Sequence, residues 1–384
     1  MRVRIRHLYE RKKTSVPGKG GARFTFLLTG GGTGGHVFPA IAVARELRRR
    51  GHAAFFVGTR EGLESKLVPP ENIPLEFIEI GGLKRVGWKQ TLRTVWQLPA
   101  AVAQSMRLIR RYRPAAVFSM GGYVAGPATL AAWILRRPVV LMEPNAMPGM
   151  ANRYMAKIAA RACLSFPEAR EYFPADRIEM TGLPVRSEFF EIPKKTPGGK
   201  LTVLVTGGSR GSRRLNDAGE ASWRLFRANQ VAIRWIHQTG SQDYARLAEA
   251  FRELGCDGQV TPFIENMPRA FAQSDLVVCR SGAGAVAELA AAGKPSILTP
   301  YPFAADEHQL RNAEAMSKAG AARLVLDREM TGEELFHTVR SLAEAPGALE
   351  RMGEAARQFA RPGAARRAAE ILEEEASGGR RKRS

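Results

Sequence analysis

Cysteine is nearly absent: 384 residues hold 3, at Cys163, Cys256 and Cys279, with no CxxC pair among them. That excludes a disulfide framework and a zinc site of paired cysteines, and it suits a reducing compartment. No uninterrupted apolar run approaches the ~20 residues that cross a bilayer. Acidic residues are also in deficit, 37 against 58 lysines and arginines, for a net charge of +21. Such an excess points to an anionic partner: nucleic acid, anionic lipid headgroups or a phosphorylated substrate. Aromatics make up only 8% of the chain and no RNA- or DNA-binding motif occurs, which sets nucleic acid aside. There is no G-x-x-x-x-G-K-[ST] loop for NTP hydrolysis, and no D-x-D pair of the kind a metal-chelated diphosphate would want.

What is present is a packed, two-domain composition. The length exceeds one ordinary core, and 45% of residues are hydrophobic. Residues 1–22 are charged but lack the apolar stretch of a leader, and read as a basic extension. From there a repeating grammar sets in. Phe24 to Leu28 is an apolar strand entering a glycine loop and then a helix that ends in arginines and Gly51; Ala53 to Gly58 is the next strand. Ala116 to Met120 enters GGYVAGP and the helix ATLAAWIL, and Leu201 to Thr206 enters GGSRGS and the helix RRLNDAGEASWRLF. Leu276 to Cys279 enters RSGAGAVAE, followed by a helix and a strand at Pro295 to Thr299. Strands alternating with helices predict an α/β protein with doubly wound parallel sheets. Two units open separate Rossmann-like domains, expected at 23–195 and 196–369, joined by the Pro-, Gly- and Lys-rich stretch GLPVRSEFFEIPKKTPGGK. From Thr331 the chain reads as Ala-, Glu- and Arg-rich helix, of which the last in proteins with two such sheets often crosses back to the first domain, and residues 370–384 read as a polar basic tail.

A strand running through glycines into a helix is a device for anions, because the first helical N–H groups lack partners and the dipole is positive there. Gly30, Gly32 and Gly35 formally satisfy the dinucleotide fingerprint. That reading needs an acidic residue at the end of the second strand, and the chain has Gly58-Thr59-Arg60 there, which removes a dehydrogenase. Four such loops on two sheets predict instead a ligand held between domains, beyond the carboxyl ends of the strands.

Eight segments occur in order: GGTGGHVFPA (31–40), MGGYVAGP (120–127), EPNAMPG (143–149), GLPVR (182–186), GGSRGS (207–212), FIENM (263–267), RSGAGAVAE (280–288) and DEHQLRNA (306–313). Together they resemble the bacterial MurG family of peptidoglycan glycosyltransferases over nearly the whole chain. The resemblance implies a GT-B fold with an interdomain cleft and an inverting β-1,4 transfer without metal or other cofactor. It implies UDP-N-acetylglucosamine as donor, and as acceptor the undecaprenyl-diphosphate-linked muramyl-pentapeptide known as lipid I, giving lipid II. It also implies peripheral attachment at the cytoplasmic face of the bacterial inner membrane.

Carried over residue by residue, the resemblance places Thr33, Gly34 and Gly35 near the donor sugar and the acceptor diphosphate, and Asn145 on the sugar. Arg186 and Ser209 match residues that meet the donor diphosphate, and Ile264 one whose main chain reads uracil. Ala283, Gly284, Ala285, Val286, Ala287 and Glu288 match the nucleotide loop, with Glu288 on the ribose hydroxyls. Gln309 matches a residue that reads the sugar, beside His308, where some members carry a second glutamine. Pro144 and Arg210 also stand where glutamine is common, which bears on donor-sugar selectivity.

Inverting transfer needs a base for the attacking hydroxyl. His36 is the candidate, an imidazole at a helix start whose dipole favours the neutral form; hydrogen bonding to a substrate phosphate, or capping, is its other reading. Glu143 is the reserve base, or else a buried carboxylate paired within the fold. His237 reads as structural. Between 83 and 111, Trp88, Leu92, Val95 or Trp96, Pro99, Val102, Met106 and Ile109 recur at helical spacing. Lys84, Arg85 and Lys89 flank Trp88, so the start of this stripe is expected on anionic lipid and its later part on the core. Three rival functions share parts of the pattern: a diacylglycerol glycosyltransferase, a UDP-sugar epimerase and a non-enzymatic nucleotide-sugar sensor.

Overall fold

The structure, a computed structural model, describes residues 23–31, 34–81, 88–193, 195 and 199–381; of 88–95, 305 and 379–381 it describes only the backbone. The basic extension at 1–22, Thr33, Lys84 and Arg85 lie outside the described residues, as do the side chains of Trp88 and Lys89.

Among the described residues two parallel sheets form. The first contains β1 (Thr25–Thr29), β2 (Ala53–Gly58), β3 (Leu75–Phe77), β4 (Ala116–Ser119), β5 (Val139–Glu143), β6 (Arg161–Leu164) and β7 (Ile178–Glu179), in the order β3-β2-β1-β4-β5-β6-β7. Its helices are α1 (Gly34–Arg49), α2 (Glu64–Leu67), α3 (Trp88–Tyr112), α4 (Gly122–Ile134) and α5 (Met150–Met155). The second contains β8 (Leu201–Thr206), β9 (Ile233–Gln238), β10 (Asp257–Thr261), β11 (Leu276–Cys279), β12 (Ser296–Leu298) and β13 (Ala322–Leu324), in the order β10-β9-β8-β11-β12-β13. With it go α6 (Arg213–Ala228), α7 (Tyr244–Glu253), α8 (Met267–Gln273), α9 (Ala283–Ala292), α10 (His308–Lys318), α11 (Gly332–Glu344), α12 (Ala348–Arg357) and α13 (Ala364–Arg381).

The central strands are apolar on both faces because helices cover both: Phe26, Leu27 and Leu28 of β1 and Val203, Leu204 and Val205 of β8 are fully buried. In each sheet the strand order reverses at the first strand, between β1 and β4 and between β8 and β11. Such a reversal point, beyond the carboxyl ends of the strands, is where doubly wound sheets bind their ligands.

Three boundaries differ from the sequence expectation. Helix α4 starts at Gly122 rather than at Ala128, because Gly121 and Gly122, at φ +75° and +81°, turn the chain straight into it. A Cβ on Gly121 would lie 2.7 Å from Asn152 Oδ1, so only glycine fits. The loop RSGAGAVAE is likewise already helix from Ala283. Residues 370–381, read as tail, continue α13, with Ile371, Leu372 and Ala376 buried beside Phe26, Val37 and Leu47 of the first domain. Arg50 pairs with Glu370 and Glu373, each at 3.0 Å, and Arg161 with Glu375 at 3.1 Å. The final helix therefore ties the end of the chain to the first domain.

Candidate functional site

The carboxyl ends of β1 and β4 meet through glycine. A Cβ on Gly30 would lie 2.6 Å from Met120 Cβ, so only a bare backbone lets the loop after β1 pass the end of β4. Helix α1 follows, with Gly34, Gly35 and His36 in its first turn. Burial, and then His308 of the second domain, hold the His36 imidazole down to about 4, against Glu64 and a hydrogen bond to the Gly31 main chain. The ring is neutral at physiological pH. His308 opens α10, so a group of the second domain acts on a ring of the first.

Beyond β5, Glu143 is buried and its carboxylate is fully engaged. Oε1 accepts from the Asn145 N–H at 3.0 Å and Asn145 Nδ2 at 3.1 Å; Oε2 accepts from Asn152 Nδ2 at 2.9 Å and the Gly149 N–H at 3.2 Å. Burial still pushes its pKa up to about 7. Asn145 in turn reaches across the cleft: its Oδ1 accepts from Asn312 Nδ2 at 3.1 Å, while Asn312 Oδ1 accepts from the Ala146 N–H at 2.8 Å.

On the second domain, the loop after β8 needs glycine at Gly208 and Gly211, at φ +83° and +76°; a Cβ on Gly211 would lie 1.9 Å from Thr239 O. Ser209 is exposed on this loop. Gln238, at the end of β9, donates to Thr206 Oγ1 at 3.1 Å and Gly208 O at 2.9 Å, and accepts from the Ile264 N–H at 2.8 Å. Gly282 caps α9 with no side-chain bond, so the first amides of α9 keep their pull on an anion. Open space lies over Gly284, and Ala283 and Val286 are buried, with Ala285 and Ala287 half-buried. Gln309 overhangs this helix start: its Nε2 is 4.0 Å from where a Cβ on Gly282 would stand, and its Oε1 accepts from the Tyr301 N–H at 2.9 Å.

One helical turn on, burial pushes Glu288 up to about 7, against the pull of Arg186, whose Nη2 lies 3.9 Å from Glu288 Oε1. Arg186 comes from the segment joining the domains and is half-exposed over the Phe189 ring. Arg280 pins the floor: it pairs with Asp327 at 2.6 Å and donates to Ser212 Oγ at 2.7 Å.

Pairwise links tie these positions across the domains: His308 acts on His36, Asn312 bonds Asn145, Arg186 lies beside Glu288, and Gln309 stands over the start of α9, with Ser209 and Ile264 on loops at the carboxyl ends of β8 and β10. Gln238 and Asn312 were not singled out from the sequence. Gln238 ends a strand on the ligand-bearing edge, and Asn312 sits inside DEHQLRNA, so both positions carried a signal. His237 is fully buried against Asn216, at 3.1 Å, and belongs to the core. On the first domain, Ile109, Ala101 and Ser105 bury one side of α3, while Trp96 is 81% exposed and Trp133 of α4 is 51% exposed.

Two doubly wound parallel-sheet domains, each with a glycine-led helix start at its switch point, make up the GT-B architecture used by enzymes of nucleotide sugars. The glycosyltransferase family 28 N-terminal domain pattern matches residues 26–164, and the family's C-terminal domain pattern matches residues 202–368. A UDP-N-acetylglucosamine–N-acetylmuramyl-(pentapeptide) pyrophosphoryl-undecaprenol N-acetylglucosamine transferase of Solibacter usitatus is 58% identical, over 91% of this chain and 96% of its own. The protein of that name from Myxococcus xanthus is 38% identical, over 90% of this chain and 91% of its own. The crystal structure of Acinetobacter baumannii MurG superposes with a TM-score of 0.77 at 32% identity, over 92% of this chain and 100% of that one. The chain belongs to this family of undecaprenol-linked N-acetylglucosamine transferases within glycosyltransferase family 28.

Proposed function

We propose that this chain transfers N-acetylglucosamine from UDP-N-acetylglucosamine to the C4 hydroxyl of the muramyl sugar of lipid I, giving lipid II. The observation that carries the reading is that the helix starts bearing His36 and Glu288, from opposite domains, come together: Ala283 packs with Val37 and Ala40, and His308 acts on the His36 ring. The donor's ribose hydroxyls fall to Glu288, and its diphosphate to the first amides of α9 with Arg186 and Ser209. With the Ile264 N–H given to Gln238, the Ile264 carbonyl suits the N3–H of uracil. Gln309, Asn145 and His308 serve the sugar, and Gly34 and Gly35, with Thr33 before them in sequence, serve the donor sugar and the acceptor diphosphate.

In the transfer, His36 takes the proton of the attacking hydroxyl as its oxygen bonds the anomeric carbon from the face opposite the diphosphate. The carbon–oxygen bond to UDP breaks, and the charge on the departing diphosphate meets Arg186 and the α9 dipole. Inversion gives the β linkage. Glu143, with both oxygens committed, serves by holding Asn145.

The acceptor is lipid-borne, and attachment at the cytoplasmic face of the inner membrane fits an exposed apolar group on the first domain. Trp96 and Leu98 of α3 and Trp133 and Ile134 of α4 are each exposed there, on a chain of net charge +21. Lys84, Arg85, Trp88 and Lys89 extend that contact in sequence. The test is UDP release from UDP-N-acetylglucosamine, measured with and without a short-chain lipid I analogue. Release only with the analogue is expected; steady conversion of the donor to an epimer without it would overturn the reading.

A further inference from the structure

Glu64 opens α2 and is completely buried. Its Oε1 accepts both the N–H of Thr59, at 2.8 Å, and the Thr59 hydroxyl, at 2.9 Å. A carboxylate taken out of water is costly unless its surroundings are arranged for it. Here three glycines make the room, Gly58 at the end of β2 and Gly62 from the loop leading into α2, with Gly31 from the loop after β1. A Cβ on Gly31, Gly58 or Gly62 would lie 2.5, 2.4 or 2.2 Å from Glu64 side-chain atoms, so the cage closes on this side chain alone. Gly31 is also the residue whose main chain hydrogen-bonds the His36 ring. The buried carboxylate therefore lies against the peptide that holds the imidazole, and its charge acts on that ring in opposition to burial and to His308.

We infer that Glu64 is a positioning residue for the transfer: it fixes the glycine loop that aims the His36 ring, and places its carboxylate behind that ring. One ring N–H is given to the Gly31 main chain, which puts the lone pair on the opposite nitrogen, the one that can take the hydroxyl proton. When that proton arrives, positive charge spreads over the ring. A carboxylate in a dry pocket stabilises the charged ring more than the neutral one, which is stabilisation realised only as the reaction proceeds. This inference rests on His36 being the base.

Glu64→Gln keeps the shape and loses the charge; Glu64→Asp keeps the charge. The Gln variant is expected to lose about 10–100-fold in kcat, with donor KM within about threefold, and the Asp variant to recover part of the loss. In a His36→Ala background the Gln substitution should add less than about twofold, because its route runs through the ring. The ¹⁵N shifts of His36 should report one tautomer in the wild type and a mixture in the Gln variant. A Gln variant with wild-type kcat, or one whose loss persists in full without His36, overturns the inference. If the Gln chain does not fold, Glu64→Asp serves alone: retracting the carboxylate by one methylene is expected to lower kcat and mix the His36 tautomers, and wild-type kcat with a single tautomer overturns the inference. If His36→Ala leaves kcat near wild type, the base reading fails, and the tautomer still reports whether Glu64 fixes the ring.

Discussion

Glu288 carries two facts that pull against each other: it is placed to accept ribose hydroxyls, and burial lifts its pKa to about 7 in the donor-free cleft. Hydrogen bonds from hydroxyls favour the charged form, so nucleotide and proton compete for one carboxylate. Its folded pKa lies above the ordinary 4.5, so the charged acceptor is present above pH 7 and is lost as pH falls through that value. UDP affinity measured by calorimetry is therefore expected to weaken from pH 8 to pH 6, and the weakening should be smaller in Glu288→Gln. Parallel pH dependence in the two proteins would remove the carboxylate from the ribose. Kinetically, Glu288→Ala should raise donor KM more than it lowers kcat, since ribose binding is shared by ground and transition states; equal losses in kcat and kcat/KM would argue against it. Glu288 could be read from the sequence because it lies inside a glycine–helix segment whose chemistry is local. Glu64 could not, since the loop it supports reaches it through Gly31, 33 residues away, which only the fold brings against it.

At the scale of elements, strands were the more legible. β2, β8 and β11 fall where their apolar runs and flanking glycines place them, because a central parallel strand is written in consecutive residues. Helix starts were less legible, because a glycine stretch reads as loop whether or not the following residues already turn. The last helix was the least legible: its polar majority, with Glu370, Glu373, Glu374 and Glu375, reads as tail, and the few apolar residues facing the first domain matter only once that domain exists. Leu372 is fully buried in the core formed by β1, β4 and α1. Leu372→Ala should therefore cost about 2–5 kcal/mol in urea unfolding, a loss of packing and not of function. Hydrogen exchange should locate the loss in β1 and β4 of the first domain; loosening confined to β8 to β13 would mean that α13 belongs energetically to the second.

For the whole molecule the question is what holds the two domains at the spacing the chemistry needs. Apolar contact contributes, since Ala283 of α9 packs into the first domain's core. The polar link is narrower. Asn312 donates to Asn145 Oδ1 across the cleft at 3.1 Å and to Ser281 O within its own domain at 3.1 Å, and accepts from the Ala146 N–H at 2.8 Å. It therefore joins the loop after β5 to the helix bearing Gln309 and, through Ser281, to the start of α9. No sequence pattern states this, because the partners are 166 and 167 residues apart and meet only at one relative orientation of the domains. Asn312→Ala strands a buried acceptor on Asn145 and the Ala146 N–H, each worth about 1–3 kcal/mol if left dry. Opening the cleft lets water reach both, so the cost is expected to appear as domain separation and not as unfolding. The radius of gyration in solution scattering should rise in the donor-free variant and return toward wild type with saturating UDP-N-acetylglucosamine, because donor bound to both domains restores the closed state by mass action. Donor KM should rise with it, since part of the binding energy is diverted into closure. A variant as compact as the wild type, with unchanged KM, would mean that apolar packing alone sets the spacing, and that Asn312 serves only to orient Asn145.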